Sequence, residues 1–357
     1  MLRTSRSYFY RLMTDQVDGI AATGLKGILG FLAVVYGFLT RLWSSAYNRG
    51  FFPSYRLSKP VISVGNITWG GAGKTPLVIL ITKFIQTKGL RPVILLRGYK
   101  SQRTERNTMV NDEAMLLEEA LNVPVVTGKN RVHAAMEALN KYPVDIFLLD
   151  DGFQHWRMKR DLDIVVVDAT NPFGNGQLIP RGILRESLAA LFRADLFVLT
   201  KSDVGKKNVE RIKAKLRSRK DVSIVETIHQ PEALEDLMDK TRWDLNSIKD
   251  KPVVAFCSIG DPTGFEHTLR QLGAQVKKVF CFDDHYWYRQ SDLQTICDYC
   301  KKEKIQILVT TAKDAVKLKA YMNLFERELR CLVLKIKIQV TKGEDELFRR
   351  ITSVLQR

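Results

Sequence analysis

Cysteine is scarce in this sequence, and acidic residues are outnumbered by basic ones. The 357 residues include 5 cysteines, an odd number that argues against a disulfide framework and for a reducing compartment. Asp and Glu together number 39 against 56 Lys and Arg, a surplus of 17 positive charges. This surplus favours partners that carry phosphate, but no nucleic-acid recognition motif accompanies it. We therefore expect a nucleotide or an anionic lipid as ligand, not nucleic acid, and we infer no protein partner.

Long apolar runs are also scarce, and a single one, from Gly27 to Thr40, lies near the N-terminus between Lys26 and Arg41. It is shorter than the roughly 20 residues that a membrane-spanning helix needs. Its surroundings are basic, with eight Lys or Arg and two Asp before Pro60: Arg3, Arg6, Arg11, Lys26, Arg41, Arg49, Arg56 and Lys59 against Asp15 and Asp18. These features predict a membrane-associated helix at an anionic surface. A buried core helix and a cleaved signal peptide remain alternatives.

Short runs of Val, Ile and Leu alternate with helical patterns from Val61 onward, which is typical of a parallel sheet covered on both faces. We expect strands at 61–64, 93–96, 123–126, 145–149, 163–167 and 196–199, and a second series at 253–256, 276–280, 307–309 and 331–340. The predicted fold class is α/β, a doubly wound parallel sheet with a second, smaller α/β domain. The predicted boundaries are 1–50 for an N-terminal helical segment, 51–228 for the larger domain, 229–250 for a linker and 251–357 for the smaller domain. A ligand site is expected in the cleft between the two domains.

A glycine-rich segment follows the first predicted strand and precedes a helical run. It contains Gly70, Gly71, Gly73, Lys74 and Thr75, in the order that a P-loop requires. Lys74 is expected to bind the β- and γ-phosphates and Thr75 to bind Mg²⁺. The match is imperfect, because Thr68 occupies the position of the first glycine in G-x-x-x-x-G-K-[ST]. The segment predicts a sheet of the P-loop NTPase type, and the alternative is a glycine-rich turn without a ligand.

Two carboxylates end the predicted strand at 145–149. Asp150 is expected to bind the metal of a nucleotide, and Asp151 to orient substrate or a metal-bound water. Gln154 and His155 follow and make this edge of the sheet polar, as expected for a site at the C-terminal ends of strands. The alternative is that both carboxylates cap the following turn.

Several motifs resemble those of the tetraacyldisaccharide 4′-kinases, which phosphorylate a lipid A precursor. They occur in the family's order from about residue 20 to residue 318: VGNITWGGAGKTP, NDEAMLL, GKNRVHAA, LLDDGFQH, RDLDIVVVDA, FGNGQLIPRGILRE and FDDHYWY. The resemblance implies ATP and Mg²⁺, transfer to a sugar 4′-hydroxyl of an acylated glucosamine disaccharide, and a location on the cytoplasmic face of the bacterial inner membrane. The protein would be peripheral there or held by its single N-terminal helix.

The resemblance also implies roles for individual residues. Asp112 is implied as the general base and His285 as its partner, with Asp151 at the edge of the active site, and Arg185 and Glu186 as further site residues. From the residues alone, Asp112 could be an ordinary carboxylate at a helix N-terminus, and His285 a packed, hydrogen-bonded side chain. Arg185 and Glu186 could likewise be an ordinary pair.

This chain departs from the family's pattern at two positions. Trp69 replaces a valine in the phosphate loop, and Ala312 replaces a glutamate before Lys313 and Asp314. We expect the first change to place a large ring near the phosphates, and the second to affect packing only. A second functional hypothesis, a membrane-recruited regulatory P-loop NTPase, rests on the weak similarity of residues 200–203, Thr-Lys-Ser-Asp, to a guanine-reading motif.

Overall fold

The computed structural model describes residues 5–98, 102–103, 109–218, 222–325 and 329–356. The helices in these residues are α1 (Ser5–Met13), α2 (Ile20–Asn48), α3 (Lys74–Thr87), α4 (Asp112–Ala120), α5 (Arg131–Lys141), α6 (Lys206–Arg217), α7 (Pro262–Gln271), α8 (Gln290–Lys302), α9 (Ala312–Ala315) and α10 (Glu344–Leu355).

The strands in the same residues include all those that the alternation of apolar runs predicts. They are β1 (Val61–Gly65), β2 (Pro92–Leu96), β3 (Gln102–Arg103), β4 (Met109–Val110), β5 (Val125–Thr127), β6 (Ile146–Asp150), β7 (Leu162–Asp168), β8 (Leu196–Thr200), β9 (Ser223–Asp236), β10 (Arg242–Trp243), β11 (Pro252–Cys257), β12 (Gln275–Cys281), β13 (Ile307–Thr311) and β14 (Arg330–Lys342). The chain forms two compact units, and it passes from one to the other four times: after residue 97, within β5, within β9 and within β14.

The first unit comprises residues 1–97, 126–228 and 340–357. Its strands follow the order β5-β2-β6-β1-β7-β8-β9, and β1 lies between β6 and β7 with parallel pairing on both sides. All residues of β1, β2, β6 and β8 are buried, as in a sheet that is covered on both faces. The predicted doubly wound α/β fold is confirmed.

The second unit comprises residues 98–125 and 229–339. Its strands follow the order β12-β11-β13-β14-β9. Alternate residues of β11 enter different cores: Val254 and Phe256 pack in one, and Val253, Ala255 and Cys257 in the other. This alternation arises because successive side chains of a strand point to opposite faces, and it means that both faces of this smaller sheet are covered.

The two units differ from the predicted segments, because each unit is discontinuous in sequence. Residues 98–125 belong to the second unit and residues 340–357 to the first. The segment 229–250, predicted as a linker, contains the end of β9, all of β10 and a 3₁₀ turn. Its mixed polarity is typical of a connector, but Leu234, Leu237 and Ile248 are buried. The apolar positions of this segment therefore serve the core of the second unit.

Helix α2 is longer than the apolar run that predicts it. It extends over 29 residues and, among the described residues, is the one helix long and apolar enough to cross a membrane by length and composition. Leu29, Ala33 and Gly37 form a buried stripe at four-residue spacing. Gly37 packs closely on Leu178, and the Tyr36 hydroxyl donates a hydrogen bond to the Arg185 carbonyl at 2.8 Å. One side of α2 is thus fixed to the first unit.

Candidate active site residues

The glycine-rich segment connects β1 to α3, and α3 begins at Lys74. Gly70 and Gly73 adopt φ angles of 122° and 82°, in the region that favours glycine. Gly73 is also the residue before the first turn of α3. A helix begun in this way points its unpaired backbone N–H groups into the loop, where they attract anions. The predicted strand–loop–helix arrangement is present.

Lys74 extends its ammonium group to two oxygen atoms. Its Nζ lies 3.1 Å from Asn66 Oδ1 and 3.2 Å from Asp151 Oδ1. Asn66 is fully buried, and its amide nitrogen donates to the carbonyl of Thr68 at 2.9 Å and to the Thr68 hydroxyl at 3.0 Å. Thr68, the departure from the usual loop pattern, therefore orients Asn66 toward Lys74. Asn66 was missed from the sequence because it lies outside the standard pattern.

The two carboxylates at the end of β6 have different surroundings. Asp150 is buried, pairs in register with Val64 at the end of β1, and accepts a hydrogen bond from the Asp151 N–H at 2.8 Å. Arg131, the buried first residue of α5, donates to the carbonyls of both, at 3.0 and 3.2 Å. The register places Asp150 beside the start of the phosphate loop, as expected for a metal-binding carboxylate.

Asp151 lies between two cations. Both of its carboxylate oxygens accept hydrogen bonds from Arg185 Nη1, at 2.9 and 2.8 Å, in addition to the Lys74 contact. Burial alone would raise the pKa of Asp151, but the charges of Lys74, Arg185 and Arg131 hold it well below its usual value. Asp151 is therefore ionised at neutral pH, and it positions Lys74 and Arg185 together.

Gln154 and Glu186 are joined beside the loop. Gln154 Nε2 donates to the Asn66 carbonyl at 2.9 Å and to Glu186 Oε1 at 3.1 Å. Glu186 is buried and receives two hydrogen bonds from Arg193, at 2.8 and 2.9 Å. The burial of Glu186 is therefore compensated by a bidentate ion pair. These contacts hold the backbone at Asn66, in the segment between β1 and the glycines.

His155 and Trp69 stand apart from these contacts. The ring Nε2 of His155 is buried without a hydrogen-bond partner among the described residues. Burial, followed by the charges of Arg131 and Arg160, lowers the pKa of His155 to about 3, so the ring is neutral. Trp69 anchors its backbone N–H on the Ile183 carbonyl at 2.7 Å, and its side chain is 40% exposed.

A second cluster lies within the second unit, around Asp112 and His285. Asp112 begins α4 and is buried, and His285 Nδ1 lies 3.0 Å from each of its carboxylate oxygens. Burial raises the pKa of Asp112, but the hydrogen bond to His285 and the charges of Lys313 and Lys317 together lower it below its usual value. The structure thus brings together two residues that the sequence separates by 173 positions.

Three residues near this pair were missed from the sequence. Lys313 Nζ lies 3.2 Å from His285 Nε2, and Lys317 Nζ lies 4.0 Å from Asp112 Oδ2. Lys317 is fully buried and ion-pairs with Asp314 at 2.7 Å. The sequence signal for them was the Thr-Thr-Ala-Lys-Asp segment, which contains Lys313 and Asp314. We expected the departure from the family's pattern at Ala312 to affect packing only.

These groups define a class of protein. The loop between β1 and α3, with Lys74 at the helix start and Asp150 on the neighbouring strand, has the arrangement of a phosphate-binding loop in a P-loop fold. A buried carboxylate paired with an imidazole is suited to accept a proton from a hydroxyl. Each of these two features is one that a P-loop phosphotransferase is expected to have.

Comparison with known proteins narrows this class to a family. The family model "Tetraacyldisaccharide-1-P 4′-kinase" matches residues 25–356. The tetraacyldisaccharide 4′-kinase of Elusimicrobium minutum is 39% identical to this chain, and the alignment covers 84% of each sequence. The tetraacyldisaccharide 4′-kinase of Halothermothrix orenii is 34% identical, and the alignment covers 97% of each sequence. The crystal structure of LpxK from Aquifex aeolicus in complex with ATP matches with a TM-score of 0.72 and 29% identity, covering 93% of this chain and 99% of that one. The chain belongs to the tetraacyldisaccharide-1-P 4′-kinase family.

Proposed function

We propose that this chain transfers the γ-phosphoryl group of ATP to the 4′-hydroxyl of a tetraacyldisaccharide 1-phosphate in lipid A biosynthesis. Its membership in the 4′-kinase family carries this conclusion. The phosphate loop and the Asp112–His285 pair supply the two chemical functions that such a reaction needs, a site for the nucleotide phosphates and an acceptor for the hydroxyl proton.

The nucleotide phosphates bind the loop in this proposal. Backbone N–H groups from Thr68 through Gly70, Gly71 and Gly73 face the phosphate oxygens, and Lys74 binds the β- and γ-phosphates. The support is the positive charge gathered there together with the N-terminus of α3. Lys74 is already held at the loop by Asn66, so little side-chain ordering accompanies binding.

Mg²⁺ is expected with the ATP, and Thr75 and Asp150 are the residues suited to hold it. A hydroxyl and a carboxylate are hard oxygen donors of the kind this cation prefers. Thr75 lies in the first turn of α3, and Asp150 stands in register with Val64, near the end of β1 and just before the loop. When bound, the ion neutralises charge on the phosphate oxygens during transfer.

Asp112 accepts the proton of the 4′-hydroxyl in the proposed reaction. A bond forms between the hydroxyl oxygen and the γ-phosphorus, and the bond from that phosphorus to the β–γ bridging oxygen breaks. The bridging electrons leave with ADP, and the hydroxyl proton goes to the Asp112 carboxylate. His285 donates its Nδ1 hydrogen to Asp112 and keeps the carboxylate oriented. The lowered pKa of Asp112 means that it is ionised and ready to accept at neutral pH.

The remaining site residues line the loop. Asp151 keeps Lys74 and Arg185 in position, and Arg185 is available to an anionic group of either substrate. Gln154 donates a hydrogen bond to the Asn66 carbonyl and another to Glu186, and so stabilises the conformation of the loop. His155, neutral and buried, completes this polar edge of β6.

The lipid substrate is expected at a membrane surface, and α2 provides the contact. Its apolar side chains on the side away from the unit are exposed: Ile28, Phe31, Leu32, Val34, Val35, Phe38, Leu39, Leu42 and Trp43. Tyr36 and Gly37, at mid-helix, are attached to the first unit. A helix fixed in this way to a charged body fits an interfacial position better than a crossing, and basic residues suit the cytoplasmic face of the inner membrane.

The reaction is tested by incubating the purified protein with γ-labelled ATP, Mg²⁺ and a tetraacyldisaccharide 1-phosphate in detergent. The proposal expects labelled lipid with the new phosphate on the 4′-oxygen. Labelled inorganic phosphate without labelled lipid would refute the kinase and favour the regulatory NTPase. A substrate whose 4′-hydroxyl is replaced by hydrogen serves as the matched control and should accept no label.

Membrane attachment is tested by flotation with vesicles that contain anionic lipid. Replacing Phe31, Phe38 and Leu42 by Gln should reduce the bound fraction at least tenfold, because each exposed side chain contributes about 1–2 kcal/mol when buried in lipid. Met136→Gln, an exposed apolar residue of α5, is the control and should bind like the wild type. Undiminished binding of the triple variant would move the attachment away from α2.

A further inference from the structure

The two nitrogens of the His285 ring have partners of opposite charge. Nδ1 lies 3.0 Å from both carboxylate oxygens of Asp112. Nε2 lies 3.2 Å from the ammonium nitrogen of Lys313. The three side chains are mostly shielded from solvent, with exposed fractions of 24% for His285, 5% for Asp112 and 20% for Lys313. The positions of the protons on Asp112, His285 and Lys313 therefore follow from which of their atoms can donate a hydrogen bond.

An ammonium group has three hydrogens to donate and no lone pair to accept with. Burial works against the charged form of Lys313, but the carboxylates of Asp284, Asp112 and Glu113 raise its pKa, so it is an ammonium ion at neutral pH. A contact between Lys313 and Nε2 is favourable only when Nε2 carries the lone pair. The single ring proton then resides on Nδ1 and is donated to Asp112.

We propose that Lys313 is a positioning residue that holds His285 in its neutral Nδ1–H form, and so makes Asp112 the group that accepts the substrate proton. With Nε2 occupied by Lys313, His285 has no free lone pair with which to act as the base. The inference deepens the proposed kinase reaction and rests on it for its catalytic consequence, although the position of the ring proton stands on the contacts alone.

The fold fixes both ends of this arrangement. His285 adopts a φ of 63°, and its N–H donates to the Ser258 carbonyl at 3.2 Å. Lys317, one turn beyond Lys313, donates to the Tyr286 carbonyl at 3.0 Å and to the Ser258 hydroxyl. Asp314, next to Lys313, accepts hydrogen bonds from the Ser258 N–H at 3.0 Å and from its hydroxyl at 2.5 Å. The loop of His285 and the helix of Lys313 are thus attached to the same buried residue.

The charges around His285 explain why Lys313 is needed. Asp112 faces the ring from α4, Lys313 from α9, and Asp284 from the ring's own loop, with its Oδ2 3.6 Å from Nε2. Lys317 stands 4.0 Å from Asp112. Lys313 also ion-pairs with Asp284 at 3.1 Å, which neutralises the carboxylate that would otherwise attract a proton to Nε2. Without Lys313, the ring would lie between two carboxylates and become an imidazolium.

The proton position is tested by nitrogen NMR on protein with ¹⁵N-labelled histidine. The chain has 5 histidines, and the His285→Gln variant identifies the signals of His285. In the wild type at neutral pH, Nε2 should give the signal of an unprotonated nitrogen and Nδ1 that of a protonated one. In Lys313→Met, both nitrogens should be protonated at the same pH. Lys319→Met, an exposed lysine of the same unit, is the control and should leave the wild-type pattern unchanged.

Kinetics supply the second readout. In Lys313→Met, kcat at neutral pH should fall about tenfold, with the KM for ATP changed less than twofold, because a neighbouring imidazolium makes Asp112 a weaker base. The deficit in kcat should shrink at higher pH, where the ring loses its extra proton. Lys313→Arg should recover part of kcat, since it keeps the cation. The double variant Lys313→Met/Asp284→Asn should restore the Nδ1–H form, since it removes the second carboxylate as well.

Two results would overturn the inference. One is a wild-type ring protonated on Nε2, which decides the matter even if a Lys313 variant fails to fold. The other is a folded Lys313→Met protein that keeps both the wild-type ring signals and the wild-type kcat. Failure of the proposed function is distinguishable from both, because the wild type would then show the expected ring signals and still transfer no label to lipid.

Discussion

The phosphate loop and the Asp112 cluster are built in opposite ways. The loop takes its main groups from one short stretch, residues 65–75, and the phosphate binding that we propose for it relies largely on backbone N–H groups and the start of a helix. The cluster is assembled wholly from side chains, on α4, on the loop after β12 and on α9, and its members Asp112 and His285 are 173 positions apart.

This difference teaches where each function is sensitive to change. A backbone-built site tolerates changes of side chain, as Thr68 illustrates, since a residue in a glycine position supports Asn66. A site made of side chains depends on each charge near it, because every member alters the protonation of its neighbours. The predictions below use this contrast.

The largest effect is expected from the one side chain on which the loop depends. Lys74→Ala should lower turnover on the order of 10³-fold and weaken ATP binding, because it removes the cation that we propose binds the transferring phosphate. The check is steady-state kinetics with ATP affinity measured by calorimetry. Lys83→Ala, an exposed lysine of the same helix α3, should behave like the wild type. Normal turnover of Lys74→Ala would remove the loop from the mechanism.

The second effect concerns the cluster. Asp112→Asn keeps the shape of the side chain but removes the proton acceptor, so turnover should fall on the order of 10²-fold while ATP affinity stays within about twofold. Glu118→Gln, an exposed residue of the same helix α4, provides the matched control. Loss of ATP affinity in parallel with turnover would instead indicate a structural role for Asp112.

The third effect is a change in the free energy of unfolding at acidic pH. It should have the same sign in the phosphate loop and in the Asp112 cluster. The pKa values of Asp112 and Asp151 are both lowered in the folded chain, so each contributes stability that is complete above the unfolded value of about 3.9. That stability is lost as the pH falls through the folded pKa. Asp112→Asn and Asp151→Asn should therefore lose less stability than the wild type between about pH 5 and pH 3 in urea unfolding. Equal losses in all three proteins would contradict the charge assignments.

The smallest effect is expected where α2 meets the first unit. Tyr36→Phe removes one hydrogen bond to the Arg185 carbonyl and should cost about 1 kcal/mol of stability, with kcat changed less than threefold. Thermal unfolding and the lipid kinase assay measure the two quantities. A large loss of activity would mean that α2 positions Arg185. Helix α2 would then have to be counted as a third part of the active site, beside the loop and the cluster.

The same contrast explains what the sequence could predict. Periodicity predicts the buried strands, and β1, the loop and α3 follow from a local pattern. Asp112 and His285 could be paired through a family resemblance alone, because no spacing rule joins residues so distant. Asn66 and Lys313 were missed, since each acts through a neighbour and not through a motif of its own. The segment 229–250 was misleading because its charged residues flank buried ones that belong to β9 and the following turn.

The most direct test of this account measures ATP affinity and lipid phosphorylation side by side in Lys74→Ala and Asp112→Asn. The account predicts different results for the two variants. Lys74→Ala should lose both ATP affinity and lipid phosphorylation. Asp112→Asn should bind ATP like the wild type but phosphorylate the lipid far more slowly than the wild type does. Asp112→Asn protein that forms 4′-phosphorylated lipid at the wild-type rate would contradict it.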